Sequence, residues 1–208
     1  MNLKNVVLKM SKMINKRRKN KLCYGVAIND ADYDVHLNTP GGKVLCPFYQ
    51  RWRGILRRVY DEKYLEKYPT YREVTVCEDW LTFSNFKNWM EKQDWEGKVL
   101  DKDILSKGRK IYSPETCAFV TVKTNAFLVN CSCEKVRGVS FIAKRGVYSA
   151  KCGGVWTKEI LLGYHKTEQE AYNAWKNAKI SLAKQLAKLE TDQRIKQFLE
   201  NFNGEFNA

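Results

Sequence analysis

Behind Pro47 the apolar residues Tyr49, Trp52, Ile55, Leu56, Val59 and Tyr60 recur every three or four positions. That spacing predicts an amphipathic helix with proline in its first turn, and Arg51, Arg53, Arg57 and Arg58 fall on its other face. Phe83, Phe86, Trp89 and Met90 repeat the pattern, with Ser84 as the expected N-cap. A longer helix is predicted behind the cap Thr167, with Ala171, Ala174, Trp175, Ala178, Leu182, Leu186 and Leu189 along one face and Glu168 and Glu170 near its start. Ile195, Phe198, Leu199 and Phe202 predict a last short helix, and Leu3, Val6, Val7, Met10, Met13 and Ile14 a first one. Strands are expected from Cys23, at 74–76, from Val99, at 118–121, and in a run of three between residues 137 and 164. Helices and strands mixed in this order predict an α+β protein.

Charge changes the picture. Of 208 residues, 44% are hydrophobic, enough for one good core or two small ones, and the net charge is +14. A polyanion rewards such a charge most, because neutralised phosphates release condensed counterions. Residues 1–21 hold eight Lys or Arg and no acid, ending in a run that contains Arg17 and Arg18. Three readings stand for this helix: an arm along DNA phosphates, a helix packed on the core, or a membrane-surface helix. No apolar run reaches the roughly 20 residues of a bilayer span, so no membrane partner is expected. The seven cysteines are irregularly spaced in a lysine-rich chain and include no C-x-x-C pair, which predicts reduced thiols, an intracellular setting and no zinc. Trp52, Trp80, Trp89 and Trp95 are expected at the hydrophobic centre of an N-terminal domain.

The candidate chemistry lies in residues 99–125. An apolar strand ends in Asp101-Lys102-Asp103, a basic glycine-bearing loop follows, and Glu115-Thr116-Cys117 leads through Val120-Thr121 to Asn125 at the start of a helix. This order resembles the HNH, or His-Me finger, endonucleases, with Asp101-Lys102 at their Asp-His position and Thr116 at their middle asparagine. The wider layout, Cys46-Pro-Phe-Tyr49 with Trp52, Pro69-Thr-Tyr71, Val76 with Trp80, and Phe83, Phe86 and Trp89, is similar to a group of phage homing endonucleases. The resemblance implies a ββα-metal nuclease-type domain over 23–130. It implies Asp101 and Asn125 as hard oxygen ligands of Mg²⁺ or Mn²⁺, and Thr116 as the residue that orients the loop. The family's histidine is the base that deprotonates water, and Lys102 stands in its place, which suits phosphate charge better than proton abstraction. Asp103 is the candidate base or second ligand, and His36 a more distant one.

After an expected linker at 131–136, three strands and a helix over 137–190 resemble the plant ethylene-response-factor DNA-binding domain. Arg137-Gly-Val, Tyr148-x-Ala150, Leu162-Gly-Tyr164 and Thr167-x-x-Glu-Ala171 carry the match. Alternation turns Val139, Phe141, Tyr148, Ala150 and Leu161 toward the helix and leaves Ser140, Lys144, Val147, Ser149, Lys151 and Lys158 on the open face. The expected partner is double-stranded DNA, touched by Arg17, Arg18, Arg57, Arg58, Arg137, Ser140, Lys144, Arg145, Lys151 and Lys158. Residues 1–22 form an arm and 191–208 a closing helix and tail. The combined resemblance implies a metal-dependent endonuclease acting in the cytoplasm of an infected bacterial host. The alternative is a catalytically degenerate relative that binds DNA or a host protein as a regulator. RNA binding is a third reading of the same charge.

Overall fold

The computed structural model describes residues 22–39, 42–131, 138–153 and 159–204. Arg17, Arg18, Arg137 and Lys158, the basic first helix, and the expected linker past Cys131 lie outside these residues. The fold is α+β, with strands gathered in small sheets. Among the described residues no helix is long and apolar enough to cross a membrane.

The described chain forms two compact units, and their division runs through the candidate motif. One unit holds the residues up to Gln93 together with Arg109–Thr116. It opens with the hairpin β1 (His36–Thr39) and β2 (Gly42–Leu45), then α1 (Pro47–Tyr60), α2 (Glu62–Lys67), a 3₁₀ turn at Pro69–Tyr71, β3 (Thr75–Val76), a second 3₁₀ turn at Glu78–Leu81, and α3 (Phe83–Met90). The later strand β5 (Ile111–Tyr112) pairs with β3 in parallel. Pro47 opens α1 as its spacing predicts, and Phe48, Tyr49, Trp52, Ile55, Leu56 and Val59 are buried. Trp52 and Phe83 meet at 5.4 Å between ring centres, and Trp80 and Phe86 at 5.0 Å. The Trp52 indole N–H donates to the Trp80 carbonyl at 2.6 Å, so the most buried tryptophan of α1 leaves no polar atom stranded.

Two expectations in this unit differ from the structure, and one helix lies outside them. The strand expected from Cys23 is a tight turn, bonded at 2.7 Å from Cys23 N to Ala27 O, and the first strand starts at His36. Ser84 does not cap α3: Thr82 is the N-cap, and the Ser84 N–H is met by the Asp30 carboxylate at 2.9 Å. Helix α2, too short and too polar for its periodicity to show, is started by Asp61, whose side chain accepts from Tyr64 N.

The other unit holds Asp94–Gly108 and the described residues from Cys117 on. Trp95, expected beside Trp52, is buried here instead, because the chain leaves the first unit two residues earlier. Strand β4 (Val99–Asp101) pairs antiparallel with β6 (Ala118–Val120), setting Asp101 opposite Ala118, and α4 (Val122–Cys131) follows β6 directly. The sheet β7 (Val139–Ile142), β8 (Val147–Gly153) and β9 (Glu159–His165) is an antiparallel meander in that order. Helices α5 (Glu168–Ala187) and α6 (Gln193–Glu200) complete the unit, and a capping box joins Thr167 to Glu170 at the head of α5.

Its core is assembled from distant segments: Ile104, Ala118, Val120, Phe127, Leu128, Ala183, Leu186, Ile195, Leu199 and Phe202 pack together. The far end of α5 and all of α6 thus cover the β4–β6–α4 element. Along α5 the buried set is Ala171, Trp175, Lys179, Ala183, Leu186 and Ala187, whereas Leu189, expected on the packed face, lies beyond the helix end and is 50% exposed.

Gly138 enters β7 at φ +103°, and a β-carbon there would stand 2.2 Å from the Lys151 carbonyl oxygen and 2.7 Å from Trp175 Cδ1. Gly138→Ala should therefore cost at least about 2 kcal/mol through strain and overpacking, seen as a lowered thermal midpoint.

Candidate functional site

Asp101 closes β4 with a turn built on its own side chain. Its Oδ1 accepts from the backbone N–H of Asp103 and of Ile104, each at 2.9 Å, and Ile104 then enters the core. Burial raises the Asp101 carboxyl above the usual carboxylate range, opposed by the Ile104 N–H and reinforced by the negative charge of Asp103. Lys102 Nζ is hydrogen-bonded to Asp103 Oδ1.

Asn125 lies in the first turn of α4, and that turn is tied down by a buried carboxylate from the other end of the unit. Glu190 is 2% exposed, and its Oε1 accepts from Thr121 N at 3.0 Å and from Thr124 Oγ1 at 2.5 Å. The Thr121 hydroxyl accepts from Thr124 N at 3.1 Å, as an N-cap does. Glu190 Oε2 has no hydrogen-bond partner; Lys98 Nζ stands 3.9 Å away and is itself held by Asp94 at 3.0 Å and Thr191 at 2.8 Å. A carboxylate at the positive end of a helix, with a lysine behind it, offsets much of its own desolvation. Position 190 carries no periodic or motif signal in the sequence, so this clamp is legible only in three dimensions.

Thr116 belongs to the first unit. It is fully buried, its hydroxyl donates to Ile111 O at 2.6 Å, and it accepts from Ser113 N at 3.0 Å. Asp101, Lys102, Asp103 and Asn125 all lie in the second unit. His36, in the first, sets its ring edge-on to Tyr49 at 5.9 Å. Among the described residues no group of three His, Cys, Asp or Glu gathers, and Cys23, Cys46, Cys77, Cys117 and Cys152 are free thiols.

The second candidate surface is the open face of the β7–β8–β9 sheet. Ala150 and Cys152 are buried on the helix side, so Ser149 and Lys151 turn the other way; Lys151 is exposed, but Ser149, expected on the open face, is buried in the middle strand. Ser149 pairs with Ser140 on one side and Tyr164 on the other, which makes a row across the face. A bulge in β9 then changes the expected register. Ala150 pairs with Gly163 but Lys151 with Leu161, so Leu162 is the extra residue and Leu161 swings from the helix side to the open side, where it is 47% exposed. Phe141 keeps its helix-side row opposite Tyr148, with ring centres 4.9 Å apart, yet remains exposed. Lys144 and Arg145 sit in the 3₁₀ turn that joins β7 to β8, and Gly146 takes the left-handed conformation that closes it. The Arg145 guanidinium lies 5.4 Å over the ring of Tyr164, which is 51% exposed.

The chain matches no family model, no curated protein and no solved structure.

Of the basic residues on α1, Arg57 is exposed, 3.8 Å from Asp61, while Arg58 turns inward. Burial works against the Arg58 charge, but its hydrogen bond to Tyr112 and the nearby Tyr71 and Tyr64 outweigh it and hold the guanidinium firmly protonated. Arg58 is thereby committed within its unit, unlike the exposed Lys144, Arg145 and Lys151.

Two outcomes follow from the strand end and the clamp. Because the Asp101 carboxyl titrates higher folded than unfolded, its contribution is fully present below the ordinary carboxyl pKa and is lost as pH rises through the folded value. Asp101→Asn, whose amide oxygen still accepts both N–H groups, should match the parent's melting temperature in acid and exceed it at neutral pH, measured in chelator. Glu190→Ala, which leaves the Thr121 N–H and the Thr124 hydroxyl without their buried acceptor, should destabilise by about 3 kcal/mol in denaturant titration.

Proposed function

We propose that this chain binds double-stranded DNA through the open face of its three-stranded sheet. The observation that carries the reading is the joint placement of Arg145 over Tyr164 beside the exposed Lys151 and Ser140 on one sheet surface. A three-stranded sheet has the width to enter a major groove, where hydroxyls and guanidinium groups reach base edges and lysines reach phosphates. The net charge of +14 supports a polyanionic partner. The exposed Leu161 adds an apolar contact of the kind a thymine methyl offers.

Hydrolysis of that DNA is the second reading, favoured by the order of the strand ending in Asp101, the antiparallel β6 and α4 bearing Asn125. One carboxylate and one amide oxygen are hard donors that suit Mg²⁺ or Mn²⁺, which keeps most of its shell for water and phosphate. When bound, such an ion supplies charge stabilisation to the scissile phosphate. Asp101 and Asn125 are the residues that would hold it. Lys102 would face phosphate charge, and Asp103 would take the place of base or second ligand. The pairing of Lys102 with Asp103 and the use of Asp101 Oδ1 by two backbone N–H groups weigh toward the alternative: a non-catalytic relative that binds DNA, or a host protein, as a regulator.

The binding reading is tested by titrating labelled duplex at several salt concentrations. Arg145→Ala combined with Lys151→Ala should weaken binding and flatten the log-log salt slope by about one unit for each phosphate left without its cation. An unchanged slope in a folded double variant rejects the sheet as the DNA face. Supercoiled plasmid incubated with Mg²⁺ or Mn²⁺ decides the second reading: nicking by the parent and none by Asp101→Ala supports hydrolysis, and intact plasmid with retained binding supports the regulator.

A further inference from the structure

A second aromatic and basic surface lies in the first unit, on α2 and the turn that follows it, and shares no residue with the sheet face. Tyr64 and Tyr68 are four apart, so α2 and its C-cap bring their rings to 4.6 Å at an interplanar angle of 38°. Tyr71, delivered by the Pro69–Tyr71 turn, sets its ring against Tyr64 at 5.8 Å and 67°. Each of the first two rings carries a cation: the Arg57 guanidinium lies 5.4 Å over Tyr64, and Lys67 Nζ lies 5.4 Å over Tyr68. Of the acids in the neighbourhood, Asp61 caps α2 and faces Arg57 and Glu73 pairs with Lys110, while Glu62 and Glu66 are exposed on α2 itself.

This trio is not part of the aromatic core, which is built on Trp52, Trp80, Phe83 and Phe86. Tyr68 is 41% exposed, a large ring kept at the surface, and the ammonium over it is on an exposed lysine that a stacking base would displace toward its own phosphates. An exposed π-face next to cations suits a ligand that offers its own π-face and a negative charge together. Duplex DNA hides its base faces in the stack, whereas a single strand presents them with its phosphates alongside.

We propose that Tyr68, supported by Tyr64 and Tyr71, is a stacking platform for a base of single-stranded nucleic acid, with Arg57 and Lys67 placed for the flanking phosphates. The platform reads no sequence, since every base has a π-face. Rings and cations engage base and phosphate, which DNA and RNA share, and leave the sugar unread, so both kinds of strand are accepted.

The test uses the full chain and fluorescence anisotropy with labelled oligo-dT and oligo-U of equal length, beside a duplex. Tyr68→Ala should lose about tenfold in affinity for the single strands, the loss of one stacked base. Tyr68→Trp, which enlarges the platform, should restore it, and duplex affinity should be the same in all three proteins. Absence of single-strand binding by the parent, unchanged affinity in Tyr68→Ala, an equal loss on duplex, or failure of Tyr68→Trp to restore binding overturns the assignment. Circular dichroism of the variants, expected to match the parent because Tyr68 is exposed, separates lost stacking from lost fold.

Discussion

The second unit depends on one buried carboxylate. Glu190 lies where the chain turns from α5 into α6, and its Oε1 takes the Thr121 N–H and the Thr124 hydroxyl at the head of α4. Lys98, at the entrance to β4, stands behind its other oxygen. The strand that ends in Asp101 and the helix that bears Asn125 are therefore held from the same point. A carboxyl side chain at this depth is tolerated because a helix N-terminus, two donors and a lysine surround it. Glu190 is itself 2% exposed, so water does not compete for those bonds.

This arrangement links the two candidate activities through structure rather than through a shared site. The α5 helix that backs the sheet also supplies, at its far end, the residues that cover β4, β6 and α4. Its near end presents Ala171 and Trp175 to the sheet, and Gly138 allows β7 to approach the indole closely. The sheet carries Arg145, Tyr164, Leu161 and Lys151 on the face opposite to the buried Ala150 and Cys152. The first unit has its own logic, an aromatic core closed by the Trp52 hydrogen bond to the Trp80 carbonyl, with a separate tyrosine cluster left at the surface.

The catalytic residue types and the surrounding geometry pull in different directions. Asp101 has the right place at a strand end for a metal ligand, yet it spends an oxygen on its own turn, and burial already disfavours its charge. Lys102 is drawn to Asp103. Such a strand end is self-sufficient without an ion, which is why the sheet, with its cations and rings exposed, carries the binding proposal.

Periodicity alone marked α1, α5 and α6 and the three strands of the meander, because their apolar residues repeat at 3.6 or 2 positions and Pro47 and Thr167 announce helix starts. Asp101, Thr116 and Asn125 stand out through the motif order that resembles the HNH endonucleases, not through periodicity. Where two segments distant in the chain had to meet, the sequence was silent. Asp30 meeting Ser84 N–H, Trp95 joining the second unit, the division of residues 94–116 between two units, and the β9 bulge that turned Leu161 outward all follow from which contacts bury the most surface once the chain has closed on itself. Glu190 is the clearest case: nothing local distinguishes it from any surface glutamate, and only tertiary packing brings the N–H, hydroxyl and ammonium groups that let a carboxylate be buried there.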